Sequence, residues 1–577
     1  MTAINQDKLI IYQIFTRLYS NQNTKNKFYG TIAENGCGKF NDFTHHVLSE
    51  IKKMGISHVW YTGILEHATL TDYTHYGIRK DHPFVVKGIA GSPYAVKDYY
   101  DVDPDLAEDV PNRMFEFEQL LLRTHTQDLK VLIDFIPNHV SRQYYSDVSP
   151  AGITNFGEND DQTVPFHADN NFYYIPNQDF VVPEGHMPPV LVTEGYFERP
   201  AKATGNDVFS AQPSKYDWYE TIKLNYGVDY LNHGNTHFDP IPATWKMMYD
   251  ILAFWAAKGV DGFRCDMAEM VPVAFWAWVI PKIKTLNPEI IFIAEIYNPQ
   301  LYHSFIHEGK FDYLYDKVGL YNSLRELVEG HGSTENITRI WQQESGDISK
   351  NMLRFLENHD EQRIASEFFA KDPWKALPAV VLSATLHTGP FMLYFGQEIG
   401  VNAIEAEGFQ GADGRSTIFD YWGIPEMQGL INQGTYDGGG LSEAQQKLRT
   451  VYIKLNHLLK DNEAIHSGEF YDLQYVHIHG QSPEYDKTRN FSFLRYTANQ
   501  RLLLVFNFDL QRDIHTSIKI PEPVWFENLQ LGSPENYEIV PLFTTDCNIV
   551  RSSTQNITTT GVPLYLKACS ATVFELV

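Results

Sequence analysis

Four short polar clusters each follow an apolar run: Asp134-Phe-Ile-Pro-Asn-His139, Gly262-Phe-Arg-Cys-Asp266, Ile293-Ala-Glu295 and Phe355-Leu-Glu-Asn-His-Asp360. A strand-length apolar run that ends in Asp or Glu delivers its carboxylate to the loop beyond the sheet. One such carboxylate reads equally well as a helix N-cap. Several in succession point to chemistry that uses paired carboxyl groups, and glycoside hydrolysis is such a chemistry. One carboxylate acts as nucleophile and the other as general acid and then base, about 5–5.5 Å apart when configuration is retained. The two environments must differ, so that one group is ionised and the other protonated. Arg264 lies two residues before Asp266, and residues i and i+2 share a strand face. Its guanidinium is therefore expected to hold Asp266 ionised. Glu295 has Ile293, Ala294 and Ile296 around it in sequence, which predicts an apolar setting and a protonated carboxyl. His139 and His359 can donate to sugar hydroxyls. Asp360 can accept from two adjacent hydroxyls.

These clusters need a scaffold that gathers strand ends. Ile10-Ile-Tyr-Gln-Ile-Phe, His58-Val-Trp-Tyr, Lys130-Val-Leu-Ile-Asp-Phe and Ile290-Ile-Phe-Ile-Ala read as strands. Between them, 43–54, 114–125 and 245–258 read as helices, with Gly55 and Gly259 as stops. This β-then-α alternation predicts a parallel sheet under helices, and the number of units fits a closed (β/α)8 barrel. From 141 to 220 the rhythm breaks into Asn, Asp, Pro and aromatic residues, as expected of an insertion after the third strand. After about 460, short alternating runs such as Phe491-Ser-Phe-Leu-Arg-Tyr and Thr572-Val-Phe-Glu-Leu predict an antiparallel β-sandwich. The expected organisation is a TIM barrel over 1–140 and 221–460, an inserted domain over 141–220 and a β-sandwich over 461–577.

The 577 residues carry 46 Lys and Arg against 72 Asp and Glu, a formal charge of -26. Nucleic acid is excluded as a partner, because phosphate contacts need cations. No run approaches the roughly 20 apolar residues of a membrane helix. The first residues show no signal peptide, an expectation compatible with a cytoplasmic location, or with a periplasmic or secreted one if the chain is trimmed. The 34 Tyr, 36 Phe and 10 Trp serve core packing first, and some can stack on sugar faces. Cys37, Cys265, Cys547 and Cys569 are too widely spaced for a zinc ribbon or a disulfide framework. They read as free thiols, with a Cys547–Cys569 bridge conceivable but unsupported.

The motifs DFIPNHV, GFRCD, IAEI and ENHD, in this order and spacing, resemble the four signature regions of the α-amylase superfamily, glycoside hydrolase family 13. The resemblance covers the barrel, the insertion and the C-terminal β domain. It implies that Asp266 is the nucleophile, Glu295 the acid/base and Asp360 the stabiliser of the transition state. It places Arg264, His139 and His359 around the sugar at the cleavage point, with Tyr94 stacked on it. Where many relatives have Lys-His after the nucleophile, this chain has Ala268 and Glu269. Lys223 stands where calcium-dependent relatives usually have Asp. Both features are similar to the neopullulanase, cyclomaltodextrinase and maltogenic amylase group, as is Tyr297, an aromatic beside the acceptor sugar. Phe395-Gly-Gln-Glu398 resembles the seventh-to-eighth strand region, and Ala95 argues against a strict exo-glucosidase.

The resemblance implies a retaining hydrolase of α-1,4 bonds in starch-like α-glucans and maltooligosaccharides, with α-1,6 bonds as an open second target. A glucanotransferase using the same site is the alternative, and an inactive glucan-binding protein is a third reading. No cofactor is required. Calcium stays open: Asn138 is a ligand position in many relatives, but Lys223 puts a cation beside it. Asn21, Asn23 and Asn26 lie in a loop where relatives bind calcium through acidic residues, and amides alone make a weak site. The metal ligands and the oligomeric state are unassigned.

Overall fold

The computed structural model describes residues 8–184, 194–478, 482–533, 537–543 and 548–577. Its centre is a ring of eight parallel strands: β1 (Ile10–Phe15), β2 (His58–Thr62), β3 (Lys130–Phe135), β4 (Gly262–Cys265), β5 (Ile291–Ala294), β6 (Tyr313–Tyr315), β7 (Met352–Leu353) and β8 (Phe391–Tyr394). Their order is β7-β6-β5-β4-β3-β2-β1-β8, so spatial neighbours follow the chain. Arg354, just past β7, closes the ring. Its N–H donates to the Pro390 carbonyl, and its carbonyl accepts the Met392 N–H. This is the expected TIM barrel.

The main helices after each strand are α1 (His45–Lys53), α2 (Arg113–His125), α3 (Ala243–Lys258), α4 (Val273–Leu286), α5 (Tyr302–His307), α6 (Asn322–Val328), α7 (Leu377–Thr385) and α8 (Glu443–Asp461). Local signals set their ends. The Thr44 hydroxyl accepts the Val47 N–H at the start of α1. Gly259 ends α3 at φ 98°, a conformation that only glycine adopts freely. On α3 the buried residues Trp245, Met248, Ile251, Leu252 and Trp255 recur at helical spacing and cover the sheet. With helices outside and side chains filling the ring, strands are buried on both faces. All six residues of β1 are buried.

The segment after β3 leaves and returns through an antiparallel pair, His139–Ser141 with Thr221–Lys223, in which His139 faces Lys223. Between them the only strands among the described residues are the two-residue pair Tyr174–Ile175 and Ala201–Lys202. Side chains supply the rest of the order. Asp160, for instance, accepts from the Asn171 and Phe172 N–H groups and from the Tyr174 hydroxyl.

The C-terminal part contains β9 (Glu469–Asp472), β10 (Asn490–Tyr496), β11 (Arg501–Asn507), β12 (Ile514–Ile518), β13 (Tyr537–Phe543), β14 (Val550–Ser552), β15 (Val562–Leu566) and β16 (Ser570–Leu576). Six form an antiparallel sheet, β9-β10-β11-β16-β13-β14, and β12 pairs with β15. One face of the large sheet, with Leu494, Leu503, Val505 and Phe574, packs on Ile514, Ile518, Val562 and Leu564 of the small one. The opposite face, with Phe493, Leu502, Leu504 and Val573, joins the barrel core. Helix α7 lies at this junction and is buried along its whole length. That explains why Leu502-Leu-Leu-Val-Phe is continuously apolar rather than alternating. Cys37, Cys265 and Cys569 are free thiols; Cys547 lies outside the described residues. No helix among these residues is long and apolar enough to cross a membrane.

Candidate active site

The carboxylates gather at the C-terminal ends of the barrel strands, the end that carries active sites in this architecture. Register explains how. Arg264 pairs with Asp134 on one side and Ile293 on the other. The ladder runs one step beyond the strands, with Asp266 N–H donating to Phe135 and Glu295 N–H donating to Cys265. Asp266 and Glu295 are thus level on adjacent strands and face the same way.

One guanidinium joins them. Arg264 Nη1 lies 2.7 Å from Asp266 Oδ1, and Nη2 lies 2.6 Å from Glu295 Oε1. Arg264 also approaches Asp134 Oδ1 at 3.4 Å and donates through Nε to the Tyr315 hydroxyl at 3.2 Å. It is only 1% exposed and sits over the rings of Trp60, Tyr94 and Tyr315. Burial, and then the Glu295 charge, push the Asp266 carboxyl well above the ordinary range, while Arg264 opposes them. Asp266 therefore takes up a proton more readily than a free carboxylate does.

The apolar setting expected for Glu295 is not what the structure shows. Ile293, Ala294 and Ile296 pack into the barrel core. The carboxyl itself accepts from the Met267 N–H at 2.7 Å and from the Tyr297 hydroxyl at 2.8 Å, besides pairing with Arg264. Burial and the Glu295 charge raise the Tyr297 phenol, which keeps it a donor. Met267 reaches Glu295 from a left-handed conformation, φ 43°, costly for a non-glycine residue and common at functional sites. Glu269 accepts the N–H groups of Tyr297 and Asn298 at 3.1 and 2.9 Å and so fixes the loop that carries Tyr297.

Asp360 stands on another wall with a side chain 41% exposed. Burial works to raise its pKa, but His359 and then Arg264 outweigh this and hold it at about 2. His139 is brought down to about 3, first by burial and then by the Lys223 charge, so its imidazole is neutral at ordinary pH. Tyr94, His139, Asp266, Glu295, Tyr297 and Asp360 all line one cavity of about 330 Å³. Arg264 and His359 are buried behind this lining: Arg264 stands beside Asp266 as expected, whereas His359 is turned away from the sugar hydroxyls it was expected to meet. His359 lies beneath Tyr94, with its Nε2 2.6 Å from the Tyr94 hydroxyl and its Nδ1 2.9 Å from Gln13 Nε2. Its ring stacks on Tyr94 at 5.0 Å. Both residues hold the walls in place.

Sequence reasoning missed several members. Gln13 and Trp60 lie buried behind the wall, with Gln13 Nε2 2.9 Å from His359 Nδ1 and Trp60 Nε1 donating to Asp134 at 3.0 Å. Gln13 is the one inward amide in an apolar strand, a signal that was available. Trp218, Phe419 and the ion pair Lys87–Glu220, 2.8 Å apart, complete the walls. A larger cavity, about 790 Å³, lies between α8 and the C-terminal sheet, but among the described residues Asp372 is its only carboxylate, so size does not mark the chemistry.

The loop asparagines are occupied within the protein. The Oδ1 atoms of Asn21, Asn23 and Asn26 accept the N–H groups of Asn23, Lys25 and Gly423. Lys223 Nζ lies 2.6 Å from Asn138 Oδ1, 2.7 Å from Asp207 Oδ1 and 3.3 Å from the Met270 carbonyl. An ammonium group sits where three oxygen atoms converge. Phe395-Gly-Gln-Glu398 follows β8 directly, and Glu398 accepts the Tyr12 hydroxyl at 2.7 Å.

A parallel barrel with strand-end carboxylates around a central arginine has the layout that glycoside hydrolysis needs. The catalytic-domain family model of alpha-amylase matches residues 13–420, and the chain belongs to the alpha-amylase family of glycoside hydrolases. Alpha-amylase 3 of Dictyoglomus thermophilum is 24% identical over 351 residues, 58% of this chain and 60% of that one. Neopullulanase 2 of Thermoactinomyces vulgaris is 22% identical over 314 residues, 53% of this chain and 44% of that one. This chain thus spans less than two-thirds of either relative. A noncanonic maltogenic alpha-amylase from Thermotoga neapolitana shares the fold over 100% of both chains, with TM-score 0.61 and 21% identity.

Proposed function

We propose that the protein is a retaining hydrolase of α-1,4-glucosidic bonds in starch-derived α-glucans and maltooligosaccharides, with α-1,6 bonds as a second target. Asp266 is the nucleophile, Glu295 the acid/base, and Asp360 the group that binds sugar hydroxyls as the ring distorts. The observation that carries this reading is the Arg264 bridge, at 2.7 and 2.6 Å, between Asp266 and Glu295. A spacing spanned by one guanidinium suits the short separation of about 5–5.5 Å that a covalent glycosyl-enzyme requires. Attack by Asp266 on the anomeric carbon, with proton donation from Glu295 to the leaving oxygen, forms that intermediate. Glu295 then takes a proton from water, which releases the sugar. Tyr94 supplies a stacking face, and Tyr297 stands beside Glu295 on the acceptor side.

The test resolves products by size on maltooligosaccharides, pullulan and cyclodextrins. Shortened products are expected. Products longer than a pure starting oligosaccharide would establish the glucanotransferase alternative, and no reaction on any α-glucan would end the enzyme reading for these substrates.

We further propose that Lys223 replaces a calcium ion in bracing the insertion against the barrel. Its ammonium neutralises the oxygen atoms that a hard cation would otherwise hold. Excess EDTA should leave activity and Tm unchanged, whereas Lys223→Met should lower Tm by about 3–8 °C, because it leaves the buried Asn138 Oδ1 without its donor. Inactivation by EDTA that calcium alone reverses would overturn this.

A further inference from the structure

Two histidines one helical turn apart, His303 and His307, project from α5, the helix that follows the Glu295–Tyr297 loop. Asp347, from the turn before β7, meets them. His303 Nδ1 lies 3.6 Å from Asp347 Oδ1, and His307 Nε2 lies 3.7 Å from Asp347 Oδ2. One ligand atom from each of the three residues falls within 4.8 Å of the others. All three are solvent-exposed, so an ion can reach them, and none lines the cavity of the candidate active site.

We propose that these residues form a surface site for a divalent transition-metal ion of the zinc class. Zinc binds imidazole nitrogen at about 2.0–2.1 Å and carboxylate oxygen at about 2.0–2.2 Å in tetrahedral geometry. Three corners of such a tetrahedron lie about 3.4 Å apart; one donor atom from each residue already lies within 4.8 Å of the others, so small rotations of these exposed side chains close the triangle. The donor set, two neutral nitrogens and one carboxylate, suits zinc and its borderline neighbours rather than magnesium or calcium, which prefer all-oxygen sites. Positions i and i+4 of a helix share a face, so α5 preorganises both imidazoles, and the third ligand comes from a separate segment. The fourth position is open to water. The site joins the helix after β5 to the chain entering β7, so an ion there fastens two segments on the outside of the barrel.

The experiment uses the full untagged chain after dialysis against a chelator, titrated with CoCl2 and ZnCl2. One equivalent of cobalt(II) should produce the visible absorption of a low-symmetry tetrahedral site, and zinc should displace it. His303→Ala and His307→Ala should each weaken zinc binding by about 100-fold and abolish the cobalt spectrum, while retaining wild-type activity without added metal. Asp347→Asn should weaken binding as well. Wild-type protein that takes up no zinc below millimolar concentration would overturn the proposal. So would a His303→Ala/His307→Ala double variant that binds zinc with wild-type stoichiometry and affinity.

Discussion

Asp266→Asn is expected to reduce kcat on maltooligosaccharides by about 10^5-fold, the scale seen when a nucleophile is removed from a group that works as a unit. The amide cannot form the glycosyl ester, yet it keeps nearly the same shape and can still face Arg264. Arg264 also retains Glu295 at 2.6 Å, so the fold should survive, with Tm within a few degrees of wild type. Binding should survive too, because Tyr94, His139 and Asp360 remain on the cavity wall. The measurement pairs residual turnover with maltooligosaccharide affinity by calorimetry. A variant that retains a tenth of wild-type activity would remove Asp266 from the nucleophile role.

Glu295→Gln should separate the two chemical steps. On natural oligosaccharides, loss of proton donation should cost about 10^3- to 10^4-fold, near the upper range for general acid–base catalysis. A nitrophenyl maltooligoside has a leaving group that needs no proton, so formation of the intermediate should be little affected. Its hydrolysis still needs a base, so a burst of nitrophenol followed by slow turnover is expected. Azide, a nucleophile that carries no proton to remove, should relieve the slow step. Equal losses on both substrates, with no burst and no azide effect, would contradict the acid/base assignment. The acid limb of the wild-type pH profile should reflect Asp266. Asp360, held at about 2, is ionised well below that limb. Protonation of Asp266, whose carboxyl is raised, removes the nucleophile as pH falls, so activity is lost earlier than for an ordinary carboxylate.

The strand ends were legible because buried parallel strands are apolar along their length and each functional carboxylate interrupts that pattern. Helices α1 to α3 were legible from amphipathic spacing, and α1 and α3 also from their glycine stops. Strand β6 was not, since three residues are too short to leave a periodic signal, and of the two-residue β7 only its end, at the cluster that leads to Asp360, was read. Contacts distant in sequence were hidden as well. Gln13 meets His359 across 346 positions, and nothing local at either residue announces the other. The error over Glu295 has a similar origin. Its sequence neighbours are apolar, but in a strand adjacent side chains face away from one another, so Ala294 and Ile296 say little about what the carboxyl meets. His359 was recognised as part of the site but not as a support beneath Tyr94, a distinction that depends on depth within the wall.

The large C-terminal sheet is apolar on both faces, one against the barrel and helix α7 and the other against the small sheet. It therefore cannot be traded as a detachable cassette. A chain cut near residue 460 would leave α7 with an uncovered oily flank and should aggregate rather than yield a smaller catalyst. Heating the intact protein should correspondingly melt both parts in one calorimetric peak.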